Sequence, residues 1–192
     1  MIRAPLRDEG SAWQLLDRWE RELRPGAAGF LGSTAGVTAD GFLVLVARFA
    51  DEAAATRNGE RPEQGEWWKE FEATLRGPAT FFDSAEVDLS MGGGSDDAGF
   101  VQIMIGTGER EQVRAAIGGA EEILRKERPD ILGGFTAWNG GRFFDVAYFT
   151  SEAEARAGES KELSEEGRAA FEKFGEVLQV EEYLDLPNPR FS

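Results

Sequence analysis

Arg48 and Tyr148 stand one hundred residues apart, each within a largely apolar stretch, Phe42–Phe49 and Phe143–Phe149. A guanidinium in such a setting needs an anionic partner or ligand, and a buried phenol needs a hydrogen-bond partner. Arg48 therefore reads either as the holder of a substrate anion or as half of an internal ion pair. Trp67 and Trp68 are adjacent in the sequence. On a helix they point about 100° apart, so one can pack inside while the other walls a cleft for a planar aromatic ligand. Plain core packing is the alternative. Asn58 precedes them in a polar loop, as a binding group or as an Asn-Gly turn. Gln102 shares a strand face with Met104 and wants a polar partner, while Trp138 sits at a strand end beside the Asn139-Gly140 turn. Asp145 interrupts its apolar run and reads first as a salt-bridge partner, second as a general base with a raised pKa. Arg48, Asn58, Trp67, Trp68, Gln102, Trp138 and Tyr148 form the candidate ligand-binding set, and none is assigned a catalytic step.

The 192-residue chain contains no Cys and no His. Thiolate nucleophiles, disulfides and Cys-held zinc are excluded, as are the Ser-His dyad and His ligation of haem, zinc or iron. No metal site and no cofactor is expected. The formal charge of −15 opposes nucleic acid and anionic lipid as partners. No apolar run approaches a membrane span and no signal peptide is evident, so a cytoplasmic protein is expected.

Residues 41–55 (GFLVLVARFADEAAA) recur as residues 141–155 (GRFFDVAYFTSEAEA), with seven identities. Composition alone gives about one in fifteen positions. The Gly/Ser/Asp stretch 91–99 lies between the copies and reads as a linker, giving halves at 1–90 and 100–192. In the second half, strand 100–105 is followed by a helical stripe of Val113, Ala116, Ile117, Ala120 and Leu124, ended by Pro129. Strands 132–139 and 142–150 form a hairpin. Ser151 and Glu154 cap a short helix, a longer helix spans 164–178, and strand 180–184 closes the unit. The first half repeats this order: edge strand 2–6, a helix capped by Ser11 and Gln14, a hairpin from 30–37 and 42–49, a helix bearing Trp67 and Trp68, and a closing strand 80–87. Two β-α-β-β-α-β units make two ferredoxin-like halves. Phe42–Phe49 is apolar at nearly every position, as in strands buried on both faces. The fold class expected is α+β, with the open sheet faces packed together.

The segments Phe49-Ala-Asp-Glu-Ala53 and Phe149-Thr-Ser-Glu-Ala153, with the approaches Pro25-Gly26…Gly29-Phe30 and Pro129…Phe135, resemble the dimeric α/β-barrel superfamily. The branch they resemble most is that of the antibiotic-biosynthesis monooxygenases, present as two tandem copies. The resemblance implies an intramolecular dimeric α/β barrel. It further implies a cofactor-independent monooxygenase whose substrate, a small aromatic or polyketide-like compound, itself reduces O₂ as an anion. In that family an Asn and a Trp are thought to hold substrate and oxygen species, which points to Asn58 and the Trp pair. Haem-handling relatives place a His near the region 64–68, where this chain has Trp67-Trp68.

Fusion frees the two halves to diverge, and the first, with Arg48, Asn58 and the Trp pair, is expected to hold the pocket. The alternatives are a non-catalytic binder of a small aromatic or hydrophobic ligand, and a structural protein with filled interiors. The fused unit is expected as a monomeric pseudo-dimer or a homodimer.

Overall fold

A computed structural model describes all 192 residues, which divide into two compact units. The first comprises residues 1–83 with 190–192, and the second residues 84–189. No helix in either is long and apolar enough to cross a membrane.

The first unit opens with β1 (Ile2–Pro5) and α1 (Glu9–Arg18), which runs through a π-helical turn at Trp19–Leu23 and a 3₁₀ turn at Arg24–Gly26. Then come β2 (Phe30–Val37), β3 (Phe42–Phe49), α2 (Glu52–Gly59), α3 (Pro62–Glu72) and the two-residue β4 (Thr80–Phe81). The expected first cap falls one turn earlier: Asp8, not Ser11, is the N-cap, its carboxylate accepting from Ser11 N at 3.0 Å. Asp8 has the extended backbone of an N-cap, and its carboxylate brings negative charge to the positive helix end. Trp67, Phe71, Leu43 and Ala4 centre the core.

The second unit contains β5 (Glu86–Ser90), β6 (Phe100–Gly108), α4 (Arg110–Glu127), β7 (Ile131–Asn139), β8 (Arg142–Phe149), α5 (Glu152–Glu159), α6 (Glu165–Val177) and β9 (Leu178–Pro187). Ser151 caps α5 and Ser164 caps α6 through their hydroxyls. Its sheet order is β5-β7-β8-β6-β9, and the first unit's is β10-β2-β3-β1-β4, where β10 is Arg190–Phe191. Both sheets are antiparallel throughout. Each is the four-stranded ferredoxin-like sheet with a fifth strand on the outer edge of the hairpin.

The fifth strands correct the expected boundaries. The segment 80–87 is not one closing strand. Thr80–Phe81 pairs with β1, whereas Glu86–Ser90 pairs with β7. Ser84 sets the new direction, its hydroxyl donating to Trp138 O at 2.5 Å and accepting from Trp138 N at 3.1 Å. Arg110 then grips β5 through Asp88 and Glu86. The first half therefore ends at Asp83 rather than residue 90, and residues 190–192 return to its sheet through β2. The stretch 91–99 is likewise part of the second unit and not a free spacer. A Cβ on Gly133 would lie 2.1 Å from Gly93 O, so two glycines let this segment press onto β7.

Candidate functional site

β8 alternates between two fates. Phe144, Val146 and Tyr148 are fully buried, while Asp145 and Ala147 face a cavity between the sheet and helices α4, α5 and α6. The cavity has a volume of about 590 Å³ and lies wholly within the second unit. That size suits a small organic ligand.

Strand register explains the space. One rank across the sheet reads Gly134, Ala147, Gln102, Asp185, and the next reads Thr136, Asp145, Met104, Tyr183. The small Gly134 and Ala147 leave the first rank hollow. Apolar clusters close the ends: Trp138, Phe143 and Val113 at one, Phe100, Phe149 and Ala155 at the other. Ile117 and Leu124 of α4, with Phe174 of α6, form the opposite wall. Phe171 stays 39% exposed at the rim.

Asp145 is the chemical centre of this wall. Its Oδ1 accepts the Thr136 hydroxyl at 2.6 Å. Burial pushes its carboxyl up to about 6, with the Thr136 hydrogen bond opposing part of the rise. The salt bridge expected for Asp145 is absent, because its cross-strand neighbours, Thr136 and Met104, carry no charge. A carboxyl that titrates near neutrality in an apolar pocket is equipped to accept a proton from a ligand.

Gln102 belongs to the same wall. Its Nε2 donates to Asp185 Oδ1 at 2.9 Å, and Asp185 also accepts from Arg156 of α5. Arg156 further pairs with Glu159 at 2.9 Å and lies over the Phe100 ring at 5.2 Å. Arg128, also on the cavity, is held by Asp130 at 2.7 Å in a buried pair.

Of the candidate set only Gln102 lines the cavity. Tyr148, 1% exposed, is on the opposite sheet face, its ring against Gly94 and 6.3 Å from Phe135. Trp138 is 1% exposed and packs on Phe143 at 5.3 Å, a core residue rather than part of an open hairpin tip. Arg48 is in the first unit, its guanidinium over Gly32 beside the terminal Ser192. Trp67 stacks on Phe71 at 5.1 Å and donates to Leu15 O at 2.8 Å, while Trp68 packs against Phe71 and Phe81. Asn58 is in helix α2 rather than a loop, its amide oxygen accepting from Arg61 at 3.0 Å and its Nδ2 facing Gln64 at 3.5 Å. The Trp pair and Asn58 thus serve the first unit's own packing, and the expected location of the pocket is corrected to the second unit. Asp145 has no acidic equivalent in the first unit. Its counterpart in the repeat is Leu45, and the Thr136–Asp145 pair is replaced in the first unit by Ala35–Leu45.

No family model and no curated protein matches the chain. Solved structures do. A protein from Fusobacterium nucleatum, provisionally named a monooxygenase, superposes with a TM-score of 0.72 at 10% identity, covering 100% of this chain and 91% of its own. A provisionally named monooxygenase from Lactobacillus acidophilus gives 0.67 at 10% identity, covering 96% and 90%. An anthrone oxidase-like protein gives 0.63 at 11% identity, covering 99% and 91%. At these identities the likeness shows the fold alone, an α+β ferredoxin-like architecture that extends over the whole chain.

Proposed function

We propose that the chain is a cofactor-independent monooxygenase-like enzyme of the cytoplasm, acting on a small aromatic or polyketide-like compound in the cavity of its second unit. One observation carries the reading: a carboxyl pushed up to about 6 on the wall of a cavity of about 590 Å³. The Asp145 carboxylate takes a proton from an activated ring methylene or phenol. The anion passes one electron to O₂, and the radical pair joins as a hydroperoxide, with the proton returned from Asp145. Loss of water from a methylene substrate leaves a ketone, one oxygen atom in the product and the other in water. The substrate supplies every electron, so no outside reductant is needed. The tandem duplication and its packing as an intramolecular barrel stand as part of the same proposal, supported by the repeated element order.

A second reading, a carrier that binds such compounds without turnover, is favoured by a different observation. The cavity's cations, Arg128 and Arg156, are both ion-paired, which leaves the developing anion without a dedicated counter-charge. Oxygen uptake with anthrones and hydroquinones separates the two. Enzyme-dependent uptake with one atom of isotopically labelled O₂ retained in the product supports the enzyme. Saturable binding without uptake sinks it and leaves the carrier.

A further inference from the structure

We infer that the cavity selects an uncharged aromatic compound bearing two hydroxyl groups, and that Gln102 is the residue that reads the second hydroxyl. The inference rests on reading the cavity as a ligand site. Six charged side chains line it: the carboxylates Glu121, Asp145, Glu159 and Asp185, and the guanidiniums Arg128 and Arg156. Both guanidiniums are engaged, Arg128 by Asp130 and Arg156 by Asp185 and Glu159. A ligand carboxylate would therefore meet an excess of negative charge with no free cation to answer it, a desolvation cost without return.

Beside the hydroxyls of Ser90 and Tyr183, the wall offers two open acceptors. Asp145 receives Thr136 on one oxygen, and no protein group donates to the other. The orientation of Gln102 follows from chemistry. Asp185, already accepting from Arg156, is a carboxylate and can only accept, so Gln102 must present its amide nitrogen there. That turns Gln102 Oε1 away from Asp185, and no protein donor reaches it. Asp145 and Gln102 lie on the same face of paired strands, diagonal to each other across the register Met104↔Asp145 and Gln102↔Ala147. Diagonal neighbours of this kind are about 7 Å apart, a span bridged by a ring with hydroxyls on opposite sides.

Calorimetric titration under nitrogen tests this with naphthohydroquinone, its dimethyl ether and its carboxylated analogue, near neutral pH. The hydroquinone should bind at least about tenfold more tightly than either, about 1.4 kcal/mol. Gln102→Leu should weaken the hydroquinone about fivefold to tenfold and leave the ether unchanged, as loss of one hydrogen bond predicts. Gln102→Met, of closer shape, gives the same comparison if the leucine variant misfolds. Equal affinities, tighter binding of the carboxylated compound, or no binding of any overturns the inference. Because oxygen is excluded, selective binding by a protein that later consumes no O₂ contradicts only the monooxygenase reading.

Discussion

Thr136 Oγ donates to Asp145 Oδ1 at 2.6 Å across the β7–β8 pair, and it is the hydrogen bond the buried carboxyl receives from the protein. One neutral donor offsets only part of the loss of water, so the carboxyl titrates at about 6 instead of 3.8. The sign of its effect on stability follows. With the folded value raised, the folded chain holds a proton that the unfolded chain releases between 3.8 and about 6. The favourable contribution is complete below that window and lost as the pH rises through about 6. Asp145→Asn removes the ionisation and keeps an acceptor for Thr136. It should stabilise the chain by about 1–3 kcal/mol near neutral pH and have little effect at the acid end of the window. Thermal unfolding across the window checks this, and identical pH slopes for the two proteins would contradict it.

Ala147 keeps the cavity open between Gly134 and Gln102. Ala147→Leu should grow into the space without displacing backbone. Ligand affinity should fall at least about tenfold, while the melting temperature holds or rises. Retained affinity, measured by the same titration as above, would place the ligand elsewhere.

Arg110, at the start of α4, holds Asp88 through two hydrogen bonds of 2.8 and 3.0 Å, and reaches Glu86 at 2.8 Å. The bidentate contact keeps the Asp88 carboxyl below its ordinary value, so the pair stabilises above that value and weakens as the pH falls through it. Both side chains are partly exposed, which limits the worth of the pair to about 1 kcal/mol. Arg110→Ala should speed hydrogen exchange of the β5 amides about fivefold, leaving β1 and β3 unchanged. Unchanged exchange at Val87 and Leu89 would mean that backbone pairing with β7 alone holds the strand.

The ferredoxin-like halves were legible because their signals are local. The stripe Val113, Ala116, Ile117, Ala120 gives α4, and the Asn139-Gly140 turn gives the β7–β8 hairpin. The split of the segment 80–90 was not legible. It is decided by Ser84 bonding to Trp138, 54 residues away, and by Arg110. The cavity was hidden for a related reason: its hollow rank draws residues from four strands, and only their register sets Gly134 and Ala147 beside Gln102. Comparing the repeats pointed to Arg48 against Tyr148, yet the more telling mismatch was three positions earlier. Leu45 against Asp145 replaces a hydrocarbon by an acid on the helix-facing side of the sheet, and that side carries the cavity.

The central claim is that Asp145 is the proton acceptor in an oxygen-consuming reaction. The direct test is the pH dependence of oxygen uptake by the native chain and by Asp145→Asn, using an anthrone or hydroquinone that binds both. The native rate should rise with pH through an apparent value near 6, as Asp145 gives up its proton. The variant should bind but turn over at least about a hundredfold more slowly, in line with loss of a general base. An Asp145→Asn protein with the native rate and the native pH profile would contradict the account.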